Sequence, residues 1–181
     1  MDQHLFLMLG HPGSGKSNFA RQLAERLKAV RLNGDGARHS MFTDEDTRRD
    51  PANNPIVFGA LDYAAEQVLH AGYSVVFDAS HNKKVDRARK ERLGEPFGIK
   101  PIIIWVQVPV EVAKARLETR EQLPDQPVIR PGRFEELVAA VQPPESHELC
   151  IKVDGTVPFT EQMESFSQQL QEILDTVPSH D

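Results

Sequence analysis

The sequence predicts a three-layer α/β domain with a central, mostly parallel sheet of five strands flanked by helices. Short apolar runs alternate with helical patterns along the chain, which is typical of βαβ units. A glycine-rich loop separates the first apolar run from the first helical pattern. The chain has 181 residues, of which 39% are hydrophobic and 27% charged, a globular balance that fits one ordinary domain. We therefore expect residues 1–181 to form a single domain.

The segments predicted to be strands are 5–9, 30–33, 73–77, 102–108 and 149–153. The fourth run is continuous, as expected of a strand buried on both faces. Helical patterns begin near residue 17 and cover about 58–72, 83–93, 110–120, 134–141 and 163–174. The basic pattern at 83–93 is expected to be an exposed helix. Residues 122–132 hold three prolines and a glycine and predict a loop.

Composition excludes several classes of protein. A single cysteine, Cys150, rules out an intramolecular disulfide, and the seven histidines show no zinc-site spacing. The first residues lack a basic leader, and the run 5–9 is too short to cross a membrane, so we expect a cytoplasmic protein without membrane contact, monomeric or homodimeric. The net charge of −6 disfavours a general nucleic-acid binder, but residues 144–181 contain eight acids against Lys152. The acidity is therefore concentrated in the tail.

The strongest signal is the phosphate loop GHPGSGKS at residues 10–17, which matches G-x-x-x-x-G-K-[S/T] in full. Glycines let successive backbone N–H groups point at phosphate oxygens, and the following helix adds its positive end. All eight residues are expected to bind ATP: Gly10, His11, Pro12, Gly13, Ser14, Gly15, Lys16 and Ser17. Lys16 should reach the β- and γ-phosphates, and the Ser17 hydroxyl should bind Mg²⁺.

Two further motifs narrow the class of phosphate-loop protein. A guanine-reading N-K-x-D motif starting at Asn82 would need Asp at position 85, where Val85 stands, so a GTPase is excluded. The third strand ends in Asp78-Ala79, without the adjacent Glu that activates water in motor and transporter ATPases. This favours transfer to a bound acceptor over hydrolysis. Asp78 is assigned to Mg²⁺, directly or through water; the alternative is that it caps the next turn.

The acceptor side is expected after the second strand, because ligands gather at the carboxyl ends of parallel strands. Asp35 could accept the proton of an attacking hydroxyl, and Arg38, one helical turn on, could hold an anionic part of the acceptor. The alternative is that Asp35 only caps a short helix. Asn33, at the end of the same strand, is placed with the ATP-binding residues.

An arginine-bearing lid is predicted at about residues 114–133. Arg116 and Arg120 are four apart on one helical face, Arg130 lies near the end of the loop 122–132, and Arg133 follows that loop. Cations are needed where negative charge spreads over the migrating phosphoryl group, so Arg116 and Arg120 are candidate catalytic residues. Arg116, Arg120 and Arg133 are also expected to contact ATP. The alternative is a solvated basic helix end.

The order GHPGSGKS, NGDGARHSM, VVFDASHNKKVDR and VPVEVAKARLETR resembles the polynucleotide 5′-hydroxyl kinases of the phage and RNA-repair type, within the wider AAA-like P-loop kinases. The resemblance spans about residues 5–148. It implies that Asp35 is the general base, that Arg38 engages acceptor phosphate, and that Asp78 is the acid after the third strand. It likewise implies that Arg120 and Arg116 are lid arginines. The family often has a second acid after the base, where this chain has Gly36.

Two other functions remain open at this stage. A small-molecule kinase for a nucleoside, sugar or antibiotic hydroxyl would fit the net acidity and the lack of an obvious aromatic platform, since Trp105 and Tyr73 fall in predicted strands. A non-catalytic nucleotide-binding protein would leave Asp35 unexplained. The loop 43–54 is expected to distinguish a polynucleotide kinase from a small-molecule kinase. An open basic channel through Arg48 and Arg49 would fit a nucleic-acid end, RNA or DNA, whereas a sealed pocket would fit a metabolite.

Overall fold

A computed structural model of the chain describes residues 3–119, 129 and 132–176, with the side chain of Arg49 excepted. Five strands form one sheet in the order β2-β3-β1-β4-β5, and every pairing is parallel. The strands are β1 (Leu5–Leu9), β2 (Val30–Asn33), β3 (Val75–Asp78), β4 (Ile102–Gln107) and β5 (Leu149–Asp154). The predicted five-stranded, mostly parallel sheet is confirmed.

Eight α-helices and two short 3-10 helices, at Pro51–Asn53 and Glu95–Phe97, connect and flank the strands of the described residues. The α-helices are α1 (Lys16–Leu27), α2 (Gly34–Met41), α3 (Glu45–Arg49), α4 (Asn54–His70), α5 (Lys84–Gly94), α6 (Val110–Glu118), α7 (Arg133–Ala139) and α8 (Phe159–Thr176). No helix in this part of the chain is long and apolar enough to span a bilayer.

Each face of the sheet carries its own hydrophobic core, because successive side chains of a strand point to opposite faces. Phe6 and Met8 of β1 pack with α1 and α8 on one face. Leu5 and Leu7 pack on the other face with α4 and the end of α5. All five residues of β1 are buried, as expected of a central parallel strand covered by helices on both sides. The carboxyl end of β1, where the phosphate loop begins, therefore rests on a fully packed base.

Two sequence-based expectations about the fold are wrong in detail. The third strand begins at Val75 and not at residue 73, because Tyr73 lies in the turn before it with its side chain exposed. The basic helix α5 is not simply an exposed surface. Its Arg87 and Lys90 are 1% and 3% exposed, because each reaches a carboxylate distant in sequence, Glu148 and Asp62 respectively.

Candidate active site

The phosphate loop connects β1 to α1 and adopts a backbone that only glycine accommodates easily. Gly10, Gly13 and Gly15 have φ values of 141°, 78° and 98°, in the left-handed range. A Cβ on Gly13 would lie 2.4 Å from the carbonyl oxygen of Ala113, and one on Gly10 would lie 2.5 Å from that of Val106. The glycines of the predicted motif therefore permit both the turn and its close approach to β4 and α6.

Two polar groups of the loop fit a phosphate ligand. Lys16 Nζ donates to the carbonyl oxygen of His11 at 2.8 Å, which holds the ammonium group across the loop. The hydroxyl of Ser14 is fully buried and has no hydrogen-bond partner among the described residues. Since buried hydroxyls are normally satisfied, this orphan group suits a site completed by a ligand. The N-terminus of the 12-residue helix α1 lies at the same place and favours an anion.

The residues predicted to bind Mg²⁺ belong to a hydrogen-bond network around Asp78. Ser17 Oγ donates to Asp78 Oδ1 at 2.9 Å. Asp78 Oδ2 accepts from Arg31 Nε at 2.8 Å, Arg31 Nη2 at 2.5 Å and Asn33 Nδ2 at 2.8 Å. A hydroxyl and a carboxylate are the oxygen ligands that Mg²⁺ prefers, so Ser17 and Asp78 fit a nucleotide-bound Mg²⁺. The alternative that Asp78 caps the following turn is wrong, since its carboxylate binds residues of α1 and β2.

Arg31 is a site residue that sequence reasoning missed. Its guanidinium ion-pairs with Asp78, whose side chain is 3% exposed. The available signal was a charged residue inside a predicted strand, in register beside the strand that ends in the acid. An arginine bound to one carboxylate oxygen leaves Asp78 Oδ1, together with Ser17, on the side of the phosphate loop.

The candidate base lies in the first turn of α2, beside this network. Asn33 caps the helix, accepting a hydrogen bond at 2.5 Å from the backbone N–H of Gly36. The alternative that Asp35 is the N-cap is therefore wrong. The Asp35 side chain is exposed. Asn33 joins α2 to Asp78, and its contact with ATP stays a prediction. Asp35 follows it by two residues at the carboxyl edge of the sheet.

Arg38 connects α2 to α4 on the side where the acceptor is expected. Its Nη2 donates to Asn54 Oδ1 at the start of α4, its Nη1 to the carbonyl of Arg48 at 3.4 Å, and its guanidinium lies 5.8 Å from the centre of the Phe58 ring. These contacts hold the guanidinium between α2 and α4, one helical turn from Asp35. The predicted pairing of Asp35 with Arg38 on one side of the helix is compatible with this position.

The loop proposed as discriminator folds back on its own backbone. Arg48 Nε donates to the carbonyl of Phe42 at 2.7 Å, and Arg48 Nη2 to that of Thr43 at 2.5 Å. The exposed charged residues that surround it are acidic: Asp44, Glu45, Asp46 and Asp50. Arg48 thus acts as an internal brace, and the side chain of Arg49 lies outside the described residues. An open basic channel through Arg48 is not what the geometry presents.

The structure describes only part of the segment 114–133 that was predicted to be a lid. Arg116 Nη2 donates to the carbonyl of Gly155 at 2.9 Å, and its Nη1 lies 4.0 Å from where a Cβ on Gly15 would stand. Arg116 therefore lies beside the phosphate loop, as predicted for a residue that meets ATP. Arg120 and Arg130 lie outside the described residues.

Helix α7 approaches the loop through an aromatic contact. The buried Phe134 ring meets the His11 ring edge-on, with 6.3 Å between centroids. His11 Nε2 is also within hydrogen-bonding distance, 3.2 Å, of the carbonyl of Val108. The neighbouring Arg133 ion-pairs with Glu136 on its own helix and is exposed. Its contact with ATP stays a prediction.

Burial shifts the pKa of three titratable groups outside the Asp78 network, on the β3–α5 connection, α5 and β5. Burial, and next the nearby Lys90 charge, lower the pKa of His81 to about 3, so its ring is neutral at pH 7. Its Nδ1 faces the carbonyl of Ala79 at 3.0 Å, and its Nε2 is buried without a partner among the described residues. Burial also lowers the pKa of Lys90, opposed by its hydrogen bond to Asp62. Burial raises the pKa of the Cys150 thiol to about 11.

Comparison with known structures places the fold among those of P-loop kinases. A sugar kinase from Janibacter sp. HTCC2649 is similar over 94% of this chain and 95% of its own, with 20% identity and a TM-score of 0.69. The Mycobacterium tuberculosis APS kinase CysC, solved with AMPPNP and APS, is similar over 93% of this chain and 98% of its own, with 19% identity and a TM-score of 0.66. A chain of the Pnkp1/Rnl/Hen1 RNA repair complex is similar over 77% of this chain and 44% of its own, with 22% identity and a TM-score of 0.60.

The family itself is shown by sequence. The AAA-domain family profile AAA_33 matches residues 5–144, so the chain belongs to that family of AAA domains. No protein of curated function matches the sequence significantly. The matched segment runs from β1 to the connection before β5, and it contains every predicted site residue.

Proposed function

We propose that this protein is an ATP-dependent phosphotransferase in which Asp35 is the general base. The observation that carries the proposal is the continuous contact from Ser17 through Asp78 to Asn33. It links the phosphate loop to the first turn of α2, two residues from Asp35. A kinase needs this arrangement, with phosphates held at a helix N-terminus and a carboxylate beside them on the acceptor side.

The residues divide the chemistry among them. The acceptor hydroxyl oxygen bonds to the γ-phosphorus while the bond from that phosphorus to the bridging oxygen breaks, and ADP leaves. Asp35 takes the hydroxyl proton. Lys16 and Arg116 supply positive charge near the transferring group, with Arg120 expected to join them. Mg²⁺, held through Ser17 and Asp78, would neutralise charge on the phosphates when bound.

For the acceptor we propose the 5′-hydroxyl of a polynucleotide. The support is the order of the four sequence motifs, which resembles polynucleotide 5′-kinases, and the similarity of the fold to a chain of an RNA repair complex. Arg38 adds a cation one turn from the base that suits the first phosphate of a strand.

A second candidate, a kinase for a small hydroxyl compound, is favoured by one specific observation. The guanidinium of Arg48 donates hydrogen bonds to the backbone carbonyls of Phe42 and Thr43, and the exposed residues around it are acidic. A nucleic-acid backbone would be repelled there unless it follows another path, whereas a neutral polyol would not.

The test is transfer of labelled γ-phosphate from ATP with Mg²⁺ to parallel acceptors. The panel comprises 5′-hydroxyl RNA and DNA oligonucleotides, the same oligonucleotides carrying a 5′-phosphate, and a set of nucleosides and sugars. Label only on the 5′-hydroxyl strands supports the polynucleotide assignment. Label on a small compound, with none on the strands, replaces it with the second candidate. No label on any acceptor, despite measurable ATP binding, contradicts the proposed transfer to these hydroxyls.

A further inference from the structure

The strand-to-loop junction of the phosphate loop is held by a side chain from outside it. The backbone N–H of Gly10 donates to Asn82 Oδ1 at 3.0 Å, and this hydrogen bond is buried. Asn82 belongs to the N-K-K-V-D stretch that does not function as a guanine-reading motif. On the opposite side, Gly10 lies against Val106 of β4, so closely that a Cβ there would be 2.5 Å from the Val106 oxygen. The first residue of the loop, Gly10, is therefore held between β4 and Asn82.

Asn82 is itself fixed by a buried support. Its backbone carbonyl accepts from the N–H of Gln142 at 2.8 Å, and the N–H of the preceding His81 donates to Met8 of β1 at 3.2 Å. The guanidinium of Arg87 joins the two segments that carry His81 and Gln142, donating to the carbonyl of His81 at 3.2 Å and to that of Gln142 at 3.0 Å.

The support ends in an ion pair. Arg87 binds both carboxylate oxygens of Glu148, from Nε at 2.7 Å and from Nη2 at 2.9 Å, and the two side chains are only 1% and 7% exposed. A bidentate, buried arginine–carboxylate pair has little freedom to shift. The segment that carries Asn82 is therefore rigid before any nucleotide binds.

We propose that Asn82 is a positioning residue for nucleotide binding: its side-chain carbonyl, supported by the Arg87–Glu148 pair, sets the direction in which the phosphate loop leaves β1. The inference rests on the proposed nucleotide-binding function of this loop. Its physical reason is preorganisation. When the first N–H of a loop is already fixed, the loop loses less conformational entropy as its remaining N–H groups bind phosphate. Removing the acceptor would leave the Gly10 N–H buried without a partner and the loop free to rotate away from it.

The test compares Asn82→Leu, which keeps the size of the side chain but has no acceptor, with Lys90→Met. Lys90 is equally buried and lies on the same region of the chain, but its partners Asp62 and Phe77 belong to the α4 side of the sheet. The measurements are the dissociation constants of ATP·Mg²⁺ and ADP·Mg²⁺ by calorimetry, at a temperature where each variant is folded. We expect Asn82→Leu to weaken both nucleotides on the order of tenfold, and Lys90→Met to leave both unchanged while lowering the melting temperature.

Equal affinities in wild type and Asn82→Leu would overturn the inference while leaving the proposed function intact. Equal weakening in both variants would also overturn it, because the effect would then follow general stability. Asn82→Ser, whose hydroxyl is too short to replace the amide, gives the same comparison if the Leu variant does not fold. Exchange of the Gly10 amide proton in nucleotide-free protein tests the hydrogen bond separately. We expect faster exchange in the Asn82 variants only, and unchanged exchange would overturn the inference even if wild type binds no nucleotide.

Discussion

Replacement of Glu148 by Leu should destabilise the fold strongly, because it leaves the guanidinium of Arg87 buried without a counter-charge. Arg87 is 1% exposed and Glu148 7% exposed, and two hydrogen bonds of 2.7 and 2.9 Å join them. Removing one partner of a buried pair costs about 3–5 kcal/mol, against about 0–1 kcal/mol for an exposed pair. Arg87 keeps hydrogen bonds to the carbonyls of His81, Gln142 and Pro143, so we expect the lower part of the first range.

The assay is urea unfolding at pH 7 followed by circular dichroism. The matched control is Glu145→Leu, which removes an exposed partner of Lys84 from the same segment and should leave the midpoint nearly unchanged. Arg87→Met combined with Glu148→Leu should recover part of the loss, because no unpaired charge then remains. If Glu148→Leu has the same midpoint as wild type, the pair behaves like a surface pair and the reasoning about its burial is refuted.

The pair also predicts a direction of pH dependence. Burial alone would raise the pKa of Glu148, but the hydrogen bonds from Arg87 and from the Glu145 N–H, and the Arg87 charge, outweigh it and lower the pKa below the usual 4.5. A carboxyl group with a depressed pKa stabilises the fold above its unfolded pKa. This contribution is therefore complete at pH 7 and is lost as the pH falls below about 4.5 toward the folded pKa. Glu148→Leu should lack that component of acid sensitivity.

Three further outcomes are expected. The pKa of His81 is lowered from 6.5 to about 3 in the fold, so unfolding takes up a proton between these pH values. Wild type should therefore lose stability as the pH falls from 7 to 5, and His81→Phe should lose less, as measured by urea midpoints at both pH values. Identical losses would contradict the burial of a neutral ring. Gly36→Ala should destabilise the protein by about 1 kcal/mol, because the new methyl group would lie 2.7 Å from Asn33 Oδ1 and displace the helix cap; a melting temperature equal to wild type would disprove this. Gly13→Ala should abolish ATP binding in calorimetry, because a Cβ there meets the Ala113 oxygen at 2.4 Å, and retained affinity would show that the loop can relax.

Local patterns were sufficient to predict the sheet. The strands β1, β3 and β4 consist mainly of apolar residues, and β2 and β5 mix apolar with polar residues. The loop at 10–17 has the full spacing of a phosphate-binding loop. Alternation of side chains explains why Phe6 and Leu7 serve opposite cores. None of this needs information about distant residues.

The parts that the sequence did not predict depend on contacts far apart in the chain. The basic pattern of α5 gives no sign that Arg87 will meet Glu148, 61 residues away, or that Lys90 will meet Asp62, 28 residues away. The first pair makes α5 a support for the segment that holds the phosphate loop, and the second ties α5 to α4. The role of Arg31 was hidden for the same reason, since only the pairing of β2 with β3 brings it to Asp78.

At the acceptor site, local reasoning named the right segment but left open which residue caps α2. Asn33 and Asp35 are both good capping residues, and only the backbone direction decides between them. The structure uses Asn33, whose oxygen reaches the N–H three residues on. Because the cap is provided by Asn33, Asp35 is not the capping residue of α2.

The most direct test of the central claim measures ATP binding and phosphoryl transfer on one preparation of Asp35→Asn. The substitution preserves size and removes the basic carboxylate. We predict an ATP·Mg²⁺ dissociation constant within about twofold of wild type, because the phosphate loop and Asp78 are untouched, and a transfer rate lower by about 10²-fold or more. Transfer at the wild-type rate, with any acceptor that wild type phosphorylates, would contradict the assignment of Asp35 as the general base.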